Sequence, residues 1–182
     1  MKRKISLILA FLMILTLLTG CAKETSNGGN ASGETAAVKD SLLWGVNAEP
    51  SSLDPATSKD TVTHMMMYQI YDALLKEDPE DYNKIIPGLA EKWEFSDDKT
   101  EVTFYLREGV KFHNGDTMTA DDVYFSLQRS LESSYSNGIN EAIDRFEKED
   151  DMTVKCVLKY PYSPILDVMT NMTFSIASKR AV

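Results

Sequence analysis

The chain has 182 residues, with 28 Asp or Glu against 19 Lys or Arg, and its formal net charge at pH 7 is −9. This acidic excess argues against a nucleic-acid ligand and against electrostatic binding to anionic lipid. The length is sufficient for one modest folded domain.

Residues 1–20 are typical of a signal peptide. Lys2, Arg3 and Lys4 form a basic start, and an unbroken apolar run follows over residues 5–18. The run is too short for a bilayer core of about 30 Å, which needs about 20 residues. The sequence Leu-Thr-Gly before Cys21 resembles a bacterial lipobox, which implies cleavage before Cys21 and acylation of that residue. An ordinary secretory signal and an uncleaved short anchor are the alternatives.

Residues 21–41 are predicted to form a flexible tether that a lipid on Cys21 holds at the membrane. They are rich in Gly, Ser, Thr and Asn and have no apolar periodicity, a composition that cannot offset the entropy of an ordered chain. Once Cys21 is acylated, Cys156 is the one cysteine left. Because Cys156 lies in an alternating apolar run, we expect a buried and unreactive thiol.

Residues 42–182 are predicted to be the folded part, with α and β elements mixed. Its first half is predicted to contain a strand at Leu42–Val46, a loop over 47–59 and a helix that Asp60 caps and Asp78-Pro79 ends. Alternating residues then predict a β-hairpin over 90–106, and Thr119 with Asp122 predicts a capped helix reaching Leu131. The last third is predicted to contain a short helix over 140–145, strands over 145–148 and 153–159, a short helix from Ile165, a strand over 174–177 and a helix beginning at Ser178.

Motifs for catalysis are absent from the sequence, and we expect neither an enzyme, a cofactor nor a metal site. His64 and His113 lie far apart with no cysteine or carboxylate at ligand spacing. Adjacent carboxylates such as Asp97-Asp98, Asp121-Asp122 and Asp150-Asp151 could form an acid–base pair. Their positions in turns and at a helix start favour solvated or capping roles.

The stretch from Lys84 to Leu131 identifies a family. Pro87-Gly88-Leu89-Ala90, the run TFYLREGVKFHNGD over 103–116 and Thr119-Ala120-Asp121-Asp122-Val123 resemble the signature of the extracellular solute-binding family 5. This family comprises oligopeptide-, dipeptide- and nickel-binding proteins of ATP-binding-cassette (ABC) importers. Residues 49–55 and 71–75 resemble the family's opening, and the resemblance extends over residues 42–182.

The resemblance implies an α/β, periplasmic-binding-protein-like fold of type II, with two lobes that close over a ligand by a hinge. Residues 42–75 would begin the large lobe, about 76–171 would form the small inserted lobe, and 172–182 would return to the large lobe. Family members are several hundred residues long, so the chain is expected to be an N-terminal portion. We therefore expect that it cannot bind peptide tightly alone, because half the cleft wall is absent.

Four residues are ligand-contact candidates by the same resemblance. Lys59, Asp60 and Thr61 lie in the loop that borders the cleft in oligopeptide binders, and Tyr135 lies in the loop after the small-lobe helix. An ordinary loop or helix-capping role is the alternative for each of them.

The implied function is that of an exported, lipid-anchored substrate-binding protein of an ABC importer. It would capture oligopeptides or dipeptides outside the membrane, in the periplasmic space of a Gram-negative cell, and deliver them to permease and ATPase partners as a monomer. Alternatives are the same fold binding nickel, an oligosaccharide or an opine, and an exported hydrolase or adhesin.

Overall fold

The computed structural model describes residues 41–58, 60–136 and 138–182. The predictions about the signal peptide, Cys21 and the tether up to residue 40 lie outside the described residues. Residues 45–182 form one compact unit. The predicted strand at Leu42–Val46 is wrong, because these residues have no regular secondary structure and their side chains are exposed. Within the described part of the chain, no strand pairs with this apolar run, and an isolated strand has no stability of its own.

The first helix is shorter than predicted. A 3-10 helix, η1, covers Pro55–Thr57, and helix α1 covers Thr61–Met67 with Asp60 as its N-cap, so the cap is confirmed. The continuation to Asp78-Pro79 is wrong. Ile70 is 40% exposed, and the carbonyl of Leu74 accepts hydrogen bonds from the backbone N–H groups of residues 88 and 90. The apolar residues after Met67 therefore lie in the segment that leads into the next strand rather than on one face of a helix.

A small two-stranded antiparallel sheet follows, formed by β1 (Leu75–Glu77) and β2 (Ile85–Pro87). Gly88 ends this sheet at a close approach of two backbone segments. A Cβ at Gly88 would lie 2.7 Å from the carbonyl oxygen of Ala73 and 2.9 Å from that of Leu74. Only glycine fits such an approach without a shift of the chain.

The main sheet has four antiparallel strands in the order β3-β4-β6-β5. The strands are β3 (Ala90–Phe95), β4 (Glu101–Leu106), β5 (Ile143–Lys148) and β6 (Thr153–Leu158). The hairpin β3–β4 is confirmed, with Trp93 opposite Phe104. The second predicted pair is confirmed as β5–β6. The predicted short helix over 140–145 is wrong, because Ile143 already pairs with Leu158 in the ladder.

One face of this sheet carries the core. Helix α2 (Ala120–Glu132) packs against β5 and β6 and buries Val123 and Leu127. Below it lie the alternate residues of the two central strands: Val102, Phe104, Leu106, Val154, Cys156 and Leu158. Cys156 is fully buried, and burial raises the pKa of its thiol to about 12. The prediction of a buried thiol is confirmed, and the raised pKa disfavours the reactive thiolate.

The start of α2 is fixed as the sequence predicts. The carboxylate of Asp122 accepts hydrogen bonds from the backbone N–H and the hydroxyl of Thr119, both at 3.1 Å. The same carboxylate accepts a third bond, from the backbone N–H of Lys179 at 3.0 Å. Asp122 therefore joins the helix start to the last residues of the chain.

The chain then runs through 3-10 helix η2 (Ser134–Ser136), short helix α3 (Ile165–Val168) and 3-10 helix η3 (Met172–Phe174). The predicted strand over 174–177 is wrong, and residues 179–181 form a turn rather than a helix start. Residues 172–178 are buried, and Ser126 and Ser130 of α2 supply hydrogen-bond partners for their backbone. Ser126 Oγ exchanges hydrogen bonds with the N–H (2.9 Å) and carbonyl (3.1 Å) of Ala177, and Ser130 Oγ donates to the carbonyl of Thr173. No described helix is long and apolar enough to cross a membrane.

Candidate ligand-binding site

Asp60 binds the donors of its own loop. One carboxylate oxygen accepts the backbone N–H of Thr63 at 2.9 Å, and the other accepts the hydroxyls of Ser58 and Thr63, both at 2.7 Å, and that of Ser51. These hydrogen bonds, led by the one from Ser51, hold the pKa of Asp60 well below its usual range. The carboxylate stays charged and acts as a cap that also closes the loop.

The other two described candidates, Thr61 and Tyr135, are exposed, as Asp60 is. Thr61 is the first residue of α1 and is exposed. Tyr135 lies in η2 with 41% of its surface exposed, and its backbone N–H donates to the hydroxyl of Ser133 at 3.1 Å. Lys59 lies outside the described residues. Thr61 and Tyr135 therefore have side-chain surface available to a ligand.

The structure brings the loop after Leu53 against the end of α2. Arg129 forms a bidentate ion pair with Asp54, with N···O distances of 3.2 and 2.6 Å. The hydroxyl of Ser133 donates to the carbonyl of Ala56. Since Ser133 directly precedes η2, these contacts place η1 beside the turn that carries Tyr135.

Two further contacts fix this loop. Asp54 caps η1 by accepting the backbone N–H of Ala56 at 3.0 Å. The hydroxyl of Tyr71 donates to the carbonyl of Leu53 at 3.0 Å, and burial raises the pKa of that hydroxyl. We call the assembly of residues 51–58, residue 60, Arg129 and residues 133–136 the loop cluster. Sequence reasoning missed Arg129 and Ser133, because the partners of their contacts lie 75 and 77 residues away along the chain.

A separate cleft lies outside the loop cluster. It has a volume of about 510 Å³, and its lining includes Tyr71, Phe112, His113 and residues 176–178. None of Asp60, Thr61 and Tyr135 lines it. His113 begins the turn after Phe112. We base the candidate site on the contacts of the loop cluster, because none of the described candidate residues lines this cleft.

The paired carboxylates have structural partners. Asp121 pairs with Lys148 at 3.0 Å, and Asp150 accepts the backbone N–H of Met152 at 2.8 Å. Hydrogen bonds, led by the one from the Ser96 hydroxyl, lower the pKa of Asp98 to about 2. Among the described residues, no group of three or more His, Cys, Asp or Glu side chains is placed to hold a metal ion. Turn and capping roles account for Asp98, Asp121, Asp122 and Asp150.

Residues 84–181 match the family described as bacterial extracellular solute-binding proteins, family 5 Middle. The chain belongs to family 5 of the bacterial extracellular solute-binding proteins. Members of this family are solute-binding proteins that serve transport, and they are not enzymes. This confirms the expectation that the chain is not an enzyme and excludes the hydrolase alternative.

The chain is similar to individual members of family 5. The probable D,D-dipeptide-binding periplasmic protein DdpA of Escherichia coli is 35% identical over 147 residues, which cover 78% of this chain and 28% of that protein. The Helicobacter pylori periplasmic binding protein DppA, solved with the peptide STSA, matches with a TM-score of 0.67 and 30% identity over 74% of this chain and 30% of that chain.

A third family 5 protein was solved with a different ligand. The binding protein MoaA of A. tumefaciens R10, in complex with mannopinic acid, matches with a TM-score of 0.67 and 33% identity over 72% of this chain and 28% of that one. The chain therefore spans about 30% of the length of these relatives. The predicted fold is confirmed as part of a two-lobed, type II periplasmic-binding-protein fold, and the relatives identify the chain as part of an exported solute-binding protein.

Proposed function

We propose that the chain forms the N-terminal part of the substrate-binding lipoprotein of an ABC importer, which captures oligopeptides or dipeptides outside the membrane. It delivers them as a monomer to permease and ATPase subunits. The observation that carries this proposal is the similarity to a binding protein solved with a bound peptide, at 30% identity and a TM-score of 0.67. The similarity to a D,D-dipeptide-binding protein supports it.

The loop cluster and the start of α1 supply this chain's share of the peptide contacts. An extended peptide presents N–H and carbonyl groups that need partners once they leave water. Lys59, Thr61 and Tyr135 provide an ammonium and two hydroxyls, while Asp60 acts through the loop geometry that its carboxylate fixes. Residues 42–75 and 172–182 belong to the large lobe in this proposal, and residues 76–171 belong to the small lobe.

Lipid anchoring completes the proposal. Cleavage before Cys21 and acylation of that residue would hold residues 21–41 at the outer face of the cell membrane as a tether. The basic start, the apolar run and the sequence Leu-Thr-Gly-Cys support this reading.

A second candidate function is the capture of another small solute by the same fold, such as nickel, an oligosaccharide or an opine. The similarity to the protein solved with mannopinic acid favours it. The two candidates differ in the ligand and share the fold, so a direct ligand comparison separates them.

The test is a titration of the isotope-labelled 182-residue chain followed by amide chemical shifts. We expect a pool of di- to pentapeptides to bind weakly and to shift residues 54–61 and 133–136, because only part of the cleft wall is present. Tyr135→Ala should weaken binding about fivefold, whereas Tyr160→Ala, at a tyrosine that is 49% exposed elsewhere, should not.

Three outcomes would contradict the proposal. Peptide-induced shifts confined to residues outside these loops would reject the site. Submicromolar binding by this chain alone would reject the view that half the cleft wall is missing. A response to mannopinic acid, with none to the peptide pool, would favour the second candidate function.

A further inference from the structure

We infer that Arg129 and Asp54 are positioning residues: their ion pair holds the two loops of the candidate site in one fixed arrangement. This inference deepens the proposed function and rests on it. The two side chains belong to segments 75 residues apart, and no other described ion pair joins residues 51–60 to helix α2. The pair therefore couples the loop that carries Asp60 to the helix that leads into Tyr135.

The geometry makes this pair stronger than an ordinary surface contact. Nη1 of Arg129 donates to Oδ1 of Asp54 and Nη2 donates to Oδ2, and the two side chains are 28% and 30% exposed. Bidentate Arg–carboxylate pairs fix orientation as well as distance. Partial burial reduces screening by water and salt, so the pair retains more of its attraction than exposed pairs do.

Asp54 also connects the ion pair to the backbone of the loop. The oxygen that accepts from Arg129 at 3.2 Å also accepts the backbone N–H of Ala56 at 3.0 Å. Ala56 in turn accepts the hydroxyl of Ser133 through its carbonyl. A shift of Arg129 would therefore move the cap of η1, then η1 itself, and then the contact beside Tyr135.

The chain offers matched variants for a test. Arg129→Gln removes the charge and the bidentate geometry, and Asp54→Asn removes the charge but keeps an oxygen for the N–H of Ala56. Arg129→Lys keeps the charge and should restore part of the loop order. Arg145→Gln is the control, because Arg145 pairs with Asp144 and Glu147 on the exposed face of β5.

The first measurement is amide hydrogen exchange of the 182-residue chain. We expect Arg129→Gln and Asp54→Asn to speed exchange at Ala56 and Thr57 about tenfold, with the amides of β4 and β6 unchanged. The double variant should exchange no faster than either single variant, because one interaction is lost in all three. Arg145→Gln should leave these loop amides as they are.

The second measurement separates positioning from stability. At urea concentrations well below the unfolding midpoint of the variant, Arg129→Gln should abolish the peptide-induced shifts near Thr61 and Tyr135. Unaltered exchange at Ala56 and Thr57, or a parallel rise in β4 and β6, would overturn the positioning role. If the unmodified chain shows no peptide-induced shifts while Arg129→Gln still frees the loop, the proposed function fails and the ion pair's hold on the loop stands.

Discussion

Asp60 shows how a single side chain can organise a loop. Its two oxygens accept four hydrogen bonds from Ser51, Ser58 and Thr63. Each donor lies in the loop or in the first turn of α1, so the carboxylate ties the loop to the start of α1. The alternative role that the sequence left open for Asp60, that of a helix cap, is the one its contacts support.

Substitution of Asp60 should change the dependence of stability on pH. The folded chain lowers the pKa of Asp60 below the usual value of 3.8, so its ionised form favours folding. This contribution is complete above pH 3.8 and is lost as the pH falls from there towards the lower pKa of the folded state. Asp60→Asn should therefore lower the urea midpoint at pH 6, and the difference from the unmodified chain should shrink below pH 4. A difference that stays constant with pH would contradict this account.

At the scale of elements, the signals that worked were local. The hairpin β3–β4 alternates within six-residue strands, and the cap of α2 needs only the three-residue spacing of Thr119 and Asp122. The helix prediction that failed rested on a coincidental spacing of apolar residues. The apolar residues after Met67 continue a helical period, but their backbone is bonded by residues 88–90.

Gly88 gives an element-scale prediction. Gly88→Ala should lower the free energy of unfolding by about 2–3 kcal/mol, because the new Cβ would lie 2.7 Å and 2.9 Å from two backbone carbonyl oxygens. Backbone atoms cannot rotate away, so β1 and β2 would have to separate. Gly45→Ala is the control, since nothing lies within 4 Å of a Cβ there. Equal urea unfolding curves for the two variants would show that the close approach relaxes without cost.

At the scale of the whole molecule, the contacts that build the candidate site were beyond sequence reasoning. Arg129 meets Asp54 across 75 residues, and Ser133 meets Ala56 across 77. No periodicity or spacing within one element reports a contact of this range. The resemblance over residues 84–131 identified the family correctly, whereas most of that stretch forms the sheet and helix that support the loop cluster.

Lipid anchoring is a property of the whole molecule, and the negative charge of the chain makes it testable. The chain carries a net charge of −9 and loses basic residues if the signal peptide is removed, so it offers no electrostatic attraction to anionic lipid. A single acyl chain gives only marginal binding, and stable anchoring then requires more than one acyl chain on Cys21.

Cells expressing the chain should incorporate radioactive palmitate into it, and the labelled protein should sediment with membranes. Cys21→Ala should abolish both, while Cys156→Ala, at the buried cysteine, should leave the label in place. Palmitate label that survives Cys21→Ala would place the lipid elsewhere, and unlabelled protein released from cells would favour an ordinary secretory signal.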